Sequence, residues 1–207
     1  MRKSRILILL LLLLSCALRA QERGAWYPHL DYGVEWGYSG TFWDSYHYNY
    51  TSSDGARLDS RHEGFTFKSN GHLYGFLGAR FARWFTADAL VGWAGVYEGR
   101  RVVPVTLRAS AFVRGYDCDG MKLFVEGGRC FAPSFAGKQI WMGKMGGGYR
   151  LLLDTHFAMD LALSLQAVHD HPIGVYDRSR DEIVPDASLR RSDCEYFSLN
   201  FSVALCF

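Results

Sequence analysis

The sequence predicts an all-β fold, an eight-stranded antiparallel up-and-down transmembrane β-barrel behind a cleaved signal peptide. Three observations carry this. From Leu30 onward apolar residues fall at alternate positions, the period of a strand and not of a helix. Eight segments show the pattern, each near or slightly beyond the roughly 9 to 11 residues that a tilted strand needs to cross an outer membrane. The interposed set is small or polar and holds isolated charges in mid-strand, which a narrow barrel interior accommodates and lipid does not.

The first element is the leader. Arg2, Lys3 and Arg5 precede the apolar run Ile6 to Leu14, followed by Ser15, Cys16, Ala17, Leu18, Arg19 and Ala20. The run is far short of the roughly 20 residues that span a bilayer as a helix, so 1–20 reads as a secretory signal peptide cut after Ala20. Lipidation at Cys16 fits poorly, because bulky Leu14 stands next to Ser15. The barrel domain is then 21–207. Four of the 23 basic residues lie in the leader, which leaves 19 against 21 acidic ones and a charge of about −2. With no basic run in the body, there is no electrostatic footprint for nucleic acid.

In the first strand, Leu30, Tyr32, Val34, Trp36 and Tyr38 face one way and Asp31, Gly33, Glu35, Gly37 and Ser39 the other. Segments 71–83 and 86–97 follow less cleanly. Val103, Val105, Leu107, Ala109, Ala111 and Val113 then alternate with Thr106, Arg108 and Ser110, ahead of segments 121–131 and 140–151. The seventh strand sets Phe157, Met159, Leu161, Leu163 and Leu165 against Ala158, Asp160, Ala162, Ser164 and Gln166. The last sets Phe197, Leu199, Phe201, Val203, Leu205 and Phe207 against Ser198, Asn200, Ser202, Ala204 and Cys206. Glu35, Arg80, Arg108, Glu126, Lys144 and Asp160 are thereby expected to form a charge network in the lumen. There they can pair, whereas in lipid each would cost roughly 2 to 4 kcal/mol near the midplane. The length excludes a sixteen-stranded porin.

Long or moderate connections, at about 44–70, 98–101, 132–139 and 169–193, alternate with tight ones at about 84–86, 114–120 and 152–154. Outer-membrane barrels carry short periplasmic turns and longer extracellular loops, so both termini are expected in the periplasm. Trp36, Trp43, Trp84, Trp93, Trp141, Tyr97 and Tyr149 lie mostly toward strand ends, as interfacial girdles do.

The carboxyl-terminal strand ending in Phe207, the stretch YGFLGARFARWFTADALVGWAGVY (74–97) and VPVTLRASAFVR (103–114) give the chain a family likeness. It resembles the small eight-stranded outer-membrane β-barrel family of Gram-negative bacteria, the OmpA/OmpX-like outer membrane protein beta-barrel domain proteins. The resemblance covers essentially all of 21–207 and implies that Phe201, Val203, Leu205 and Phe207 are the signal read by the barrel-assembly machinery. Cys206 beside the terminal aromatic is a departure from the pattern. Members range from structural anchors to adhesins and a few lipid-modifying enzymes, so the resemblance speaks to architecture more than to activity.

No catalytic set is expected. His156, Asp160 and Ser164 share a face, but residues four apart on a strand are about 13 Å apart, beyond hydrogen-bond reach. His169, Asp170 and His171 at the mouth of the last loop would hold a metal only with ligands from elsewhere, so neither metal nor cofactor is expected. Asp117, Cys118 and Asp119 read as a structural turn. Cys130 and Cys194 share an end of the barrel and an inward parity, which makes them a candidate disulfide in an exported chain. Function is expected in the loops. Tyr46, Tyr48 and Tyr50, then Phe65 and Phe67, alternate around the turn signal Ser52, Ser53, Asp54 and Gly55, as in a hairpin projecting beyond the membrane or a loop packed over the mouth. The mixed charges of the last loop, Asp177, Arg178, Arg180, Asp181, Glu182, Arg190, Arg191 and Asp193, suit a solvated face toward lipopolysaccharide. A non-enzymatic structural or surface-interacting barrel with a plugged lumen is the leading expectation, contacting outer-membrane lipid, lipopolysaccharide and an extracellular protein. A narrow channel for ions or small solutes is the alternative, and a lipid-modifying enzyme the third.

Overall fold

The computed structural model describes residues 29–97, 100–132, 140–154, 157–172, 175–177 and 181–207. The leader with Cys16, and His156, Arg178 and Arg180, lie outside the described residues. Among the described residues ten strands are formed: β1 (His29–Thr51), β2 (Arg57–Ala82), β3 (Phe85–Tyr97), β4 (Arg100–Phe112), β5 (Gly120–Phe131), β6 (Ile140–Asp154), β7 (Phe157–Asp170), β8 (Val175–Asp177), β9 (Glu182–Val184) and β10 (Leu189–Cys206). Eight of them close a barrel in the order β1-β10-β7-β6-β5-β4-β3-β2, while β8 and β9 pair as a small separate hairpin. Every neighbour in the ring is antiparallel. Closure pairs β1 with β10 through Val34↔Leu205 and Tyr38↔Phe201, so no edge remains along this part of the wall. Phe207 donates its backbone N–H to the Tyr32 carbonyl at 2.9 Å and stacks on the Tyr32 ring.

Alternation sorts the wall as expected. Leu30, Leu107, Leu123, Leu163 and Phe201 are exposed on the outer surface, and Glu35, Arg108, Lys122, Asp160 and Asn200 are buried inside. This is the inverse of a water-soluble barrel. Trp36, Trp84, Trp93, Trp141 and Tyr149 also point outward.

Backbones approach closely within the wall, and glycine permits it. A Cβ on inward-facing Gly128 would collide with the Val105 carbonyl oxygen and lie 2.6 Å from Thr106 Cα, whereas one on outward Gly127 would meet only the Met142 carbonyl oxygen at 3.9 Å. Gly128→Ala should therefore force β4 and β5 apart and cost about 1–3 kcal/mol, read as a lower urea midpoint. Gly127→Ala should stay within about 0.5 kcal/mol. Equal midpoints for the two variants would contradict this packing.

The wall is taller on one side. β1 and β2 run for 23 and 26 residues, about twice what a membrane crossing needs. Their pairing continues to Thr51↔Arg57 and closes on a turn with Gly55 at φ 82°. The hairpin anticipated over 44–70 is thus a continuation of the barrel strands.

Candidate functional site

The interior is filled by two charge clusters. In the first, Arg108 forks between two carboxylates: Nη2 lies 3.0 Å from Glu35 Oε1 and 2.7 Å from Glu126 Oε2, with Nε 3.0 Å from the same Glu126 oxygen. Strand register builds this, because Arg108 is directly opposite Glu126 on β5, which in turn is opposite Lys144 on β6. Lys144 Nζ lies 3.9 Å from Glu126 Oε1 and donates to the Tyr74 hydroxyl at 3.3 Å, while Thr106 Oγ1 donates to Glu126 at 2.8 Å. Two carboxylates thus face two cations.

The second cluster lies toward the short-turn end. Arg150 donates to Asp160 through Nε at 2.7 Å and Nη2 at 2.9 Å, and Lys122 binds the same carboxylate. Arg150 also covers the Phe112 and Tyr116 rings at 4.5 and 3.9 Å, and Tyr116 donates to Asp31 at 2.6 Å. Asp160 and Asp31 here face Lys122 and Arg150. Buried charges are tolerable only when paired in this way. The cavity between the clusters, lined by Asp31, Asp88, Arg108, Lys122, Arg150 and Asp160, measures about 10 Å³, space for about one water molecule.

Five of the six expected lumen charges, Glu35, Arg108, Glu126, Lys144 and Asp160, therefore meet in the interior. Arg80 does not. It stands opposite His29 at the end of β2, where its guanidinium reaches Asp117 in the β4–β5 turn and covers the Tyr116 ring at 4.9 Å. Lys122 and Arg150 were missed, although parity marks both: Lys122 lies between outward Met121 and Leu123, and Arg150 follows outward Tyr149. Asp119 accepts the Leu152 backbone N–H at 2.6 Å, so the Asp117–Asp119 stretch is a structural turn.

At the opposite end two expectations need correction. Cys130 and Cys194 face inward as parity requires, but no disulfide joins them, and Cys194 Sγ lies 3.0 Å from the Tyr48 hydroxyl. β5 and β10 are separated by β6 and β7 in the ring, and three strand spacings place the two positions roughly 14 Å apart along the wall, beyond the reach of about 7 Å for a disulfide. Tyr46, Tyr48 and Tyr50, candidates for a binding ribbon or for a segment packed over the mouth, lie on the inner face and so do not form the ribbon. Tyr50 is buried, and Tyr46 and Tyr48 stack on each other and pack against the apolar cluster of Val96, Val102, Met142 and Val168. Their register partners, such as Cys194 opposite Tyr46, are inward too.

Phe65 and Phe67 face the other way and are 90% and 83% exposed. On the same outer surface His47 binds Asp59 at 2.7 Å and lies within reach of Arg61. That hydrogen bond outweighs partial desolvation and holds the Asp59 carboxyl below the usual carboxylate range. Here β1 is paired on both sides, with β10 as far as Leu189 and with β2 as far as Arg57. β2 is not: its pairing with β3 ends at His72↔Ala94, so 57–71 form a free edge among the described residues.

No protein-family model and no curated protein matches the sequence. Among solved structures the chain is similar to the outer membrane protein OprG from Pseudomonas aeruginosa, at 12% identity and a TM-score of 0.45, over 87% of this chain and 96% of that one.

Proposed function

We propose that the chain is an integral outer-membrane barrel of the small, OmpA/OmpX-like kind. Its interior is a plug, and its non-enzymatic role is to bind an extracellular protein along the free β2 edge. The side of 57–71 turned away from β1, which no described strand pairs, carries the reading together with outward Phe65 and Phe67. An exposed strand edge offers unpaired N–H and C=O groups to an incoming strand, and apolar side chains beside it supply specificity. Arg57, Asp59, Arg61 and Glu63 alternate in sign along this edge, which disfavours self-pairing and suits a partner of matched charge order.

Membrane insertion is supported by the closed ring and the apolar outer surface, since a continuous exposed apolar belt is not compatible with water. Placing the tall β1–β2–β10 wall outside follows the habit of long extracellular loops, with the terminal strand through Phe207 then available to assembly factors on the periplasmic side. Lipid and lipopolysaccharide contact the belt and its rim. A channel is disfavoured by the interior cavity of about 10 Å³.

The test compares cells displaying the parent chain with cells displaying a Phe65→Ser/Phe67→Ser variant and a chain lacking 46–68, scored for retention on immobilised extracellular proteins. We expect retention to fall severalfold for the double variant and to background for the deletion, with heat-modifiable gel migration unchanged for the double variant. Retention that survives the loss of 46–68 would refute the role of this edge.

A further inference from the structure

A second feature of the outer surface lies one strand away. His169, next to last in β7, lies on the outward parity and His171 follows two residues on, so both imidazoles project from the same face, while Asp170 between them is buried inside. β10 runs antiparallel alongside, with Glu195 opposite His169 and Cys194 opposite Asp170, which brings Asp193 level with His171. The two imidazole rings stand perpendicular with centroids 4.7 Å apart, and His171 Nδ1 lies 3.0 Å from Asp193 Oδ1. One ligand atom from each of the three residues lies within 4.8 Å of the others.

We propose that His169, His171 and Asp193 bind a divalent transition-metal ion, with zinc as the reference case. The inference is independent of the strand-edge reading. Zinc bonds of about 2.0–2.2 Å place tetrahedral ligand atoms roughly 3.3–3.5 Å apart, a contraction that small side-chain rotations supply. Two imidazoles and one carboxylate select zinc, copper or nickel over calcium and magnesium, which require oxygen ligands. Arg191 engages Oδ2 and leaves Oδ1 directed at His171. His171 Nδ1 also lies 2.9 Å from the Ser192 carbonyl oxygen, so ligation through this nitrogen requires its proton to move to Nε2 or into solvent. Glu195 Oε1 lies 3.5 Å from His169 Nδ1, so ligation through that nitrogen would replace this contact.

The experiment is calorimetric titration of the folded, untagged chain in detergent with Zn²⁺, Ni²⁺, Ca²⁺ and Mg²⁺. We expect one saturable site for Zn²⁺ and Ni²⁺ and no heat from Ca²⁺ or Mg²⁺. His171→Gln and Asp193→Asn should each weaken Zn²⁺ binding about tenfold or more. His62→Ala, whose ring stacks on Tyr46 away from the cluster, should bind as the parent does. Heat-modifiable migration is recorded for each variant, and His169→Ala serves where one of the others does not fold. Absence of saturable binding would overturn the proposal, as would ligand-residue variants that bind like the parent or an equal loss in His62→Ala.

Discussion

Replacing Arg108 with alanine is expected to destabilise the folded barrel by about 3–5 kcal/mol, making it the costliest single change in the upper half of the lumen. Among the described residues the guanidinium is the only group that hydrogen-bonds to both Glu35 and Glu126. Its loss leaves these carboxylates with Lys144, which is 3.9 Å from Glu126. One buried negative charge is then uncompensated. The readout is the temperature or urea concentration at which the compact gel species is lost. Arg108→Met combined with Glu35→Gln should recover much of the loss, because Lys144 then faces Glu126 and no buried charge is left over. If Arg108→Ala melts like the parent, the cluster is solvated and the plug does not exist. Glu35→Gln alone should be milder, since Arg108 keeps Glu126.

The architecture was legible because every strand obeys a period of two over most of its length. Residues on β10 or β4 are assigned to the correct face by parity alone, and the free energy of placing a charge in lipid decides which face is inside. The interior network was legible only where charges lie in mid-strand. Lys122 near the start of β5 and Arg150 near the end of β6 read as rim residues, yet barrel stagger brings both inward against Asp160. Conversely, Arg80 looks interior by its neighbours, and only the fold shows that β2 ends there and that Asp117 captures it. Tyr46, Tyr48 and Tyr50 escaped for a related reason. Sequence marks them as an alternating set but does not show how far β10 extends beside β1, and that extension makes their face an inside face. The His169, His171 and Asp193 cluster needs the β7–β10 register, which a separation of more than twenty residues conceals.

Asp160→Ala tests the other half of the lumen with the opposite sign. Asp160 is the shared acceptor of Lys122 and Arg150, so its removal takes from two buried cations the carboxylate that binds both, leaving Asp31 and Asp88 in the same cavity, and should cost about 3–5 kcal/mol. Adding Lys122→Met should return part of this. Planar-bilayer recordings supply a second measure that stability does not. The parent should be silent, since paired side chains fill the lumen at both clusters and leave a cavity of only about 10 Å³ between them. Any leak opened by Arg108→Ala should favour cations, because that cluster becomes net negative, and any leak opened by Asp160→Ala should favour anions. Arg108 lines the same cavity as Asp160, Lys122 and Arg150, so the double variant leaves a residual negative charge in one cluster near a residual positive one in the other. Its destabilisation should therefore fall short of the sum of the single changes by about 0.5–3 kcal/mol. Strict additivity would show two separate plugs, and identical ion preference in both single variants, or steady conduction by the parent, would show that these charges do not close the lumen.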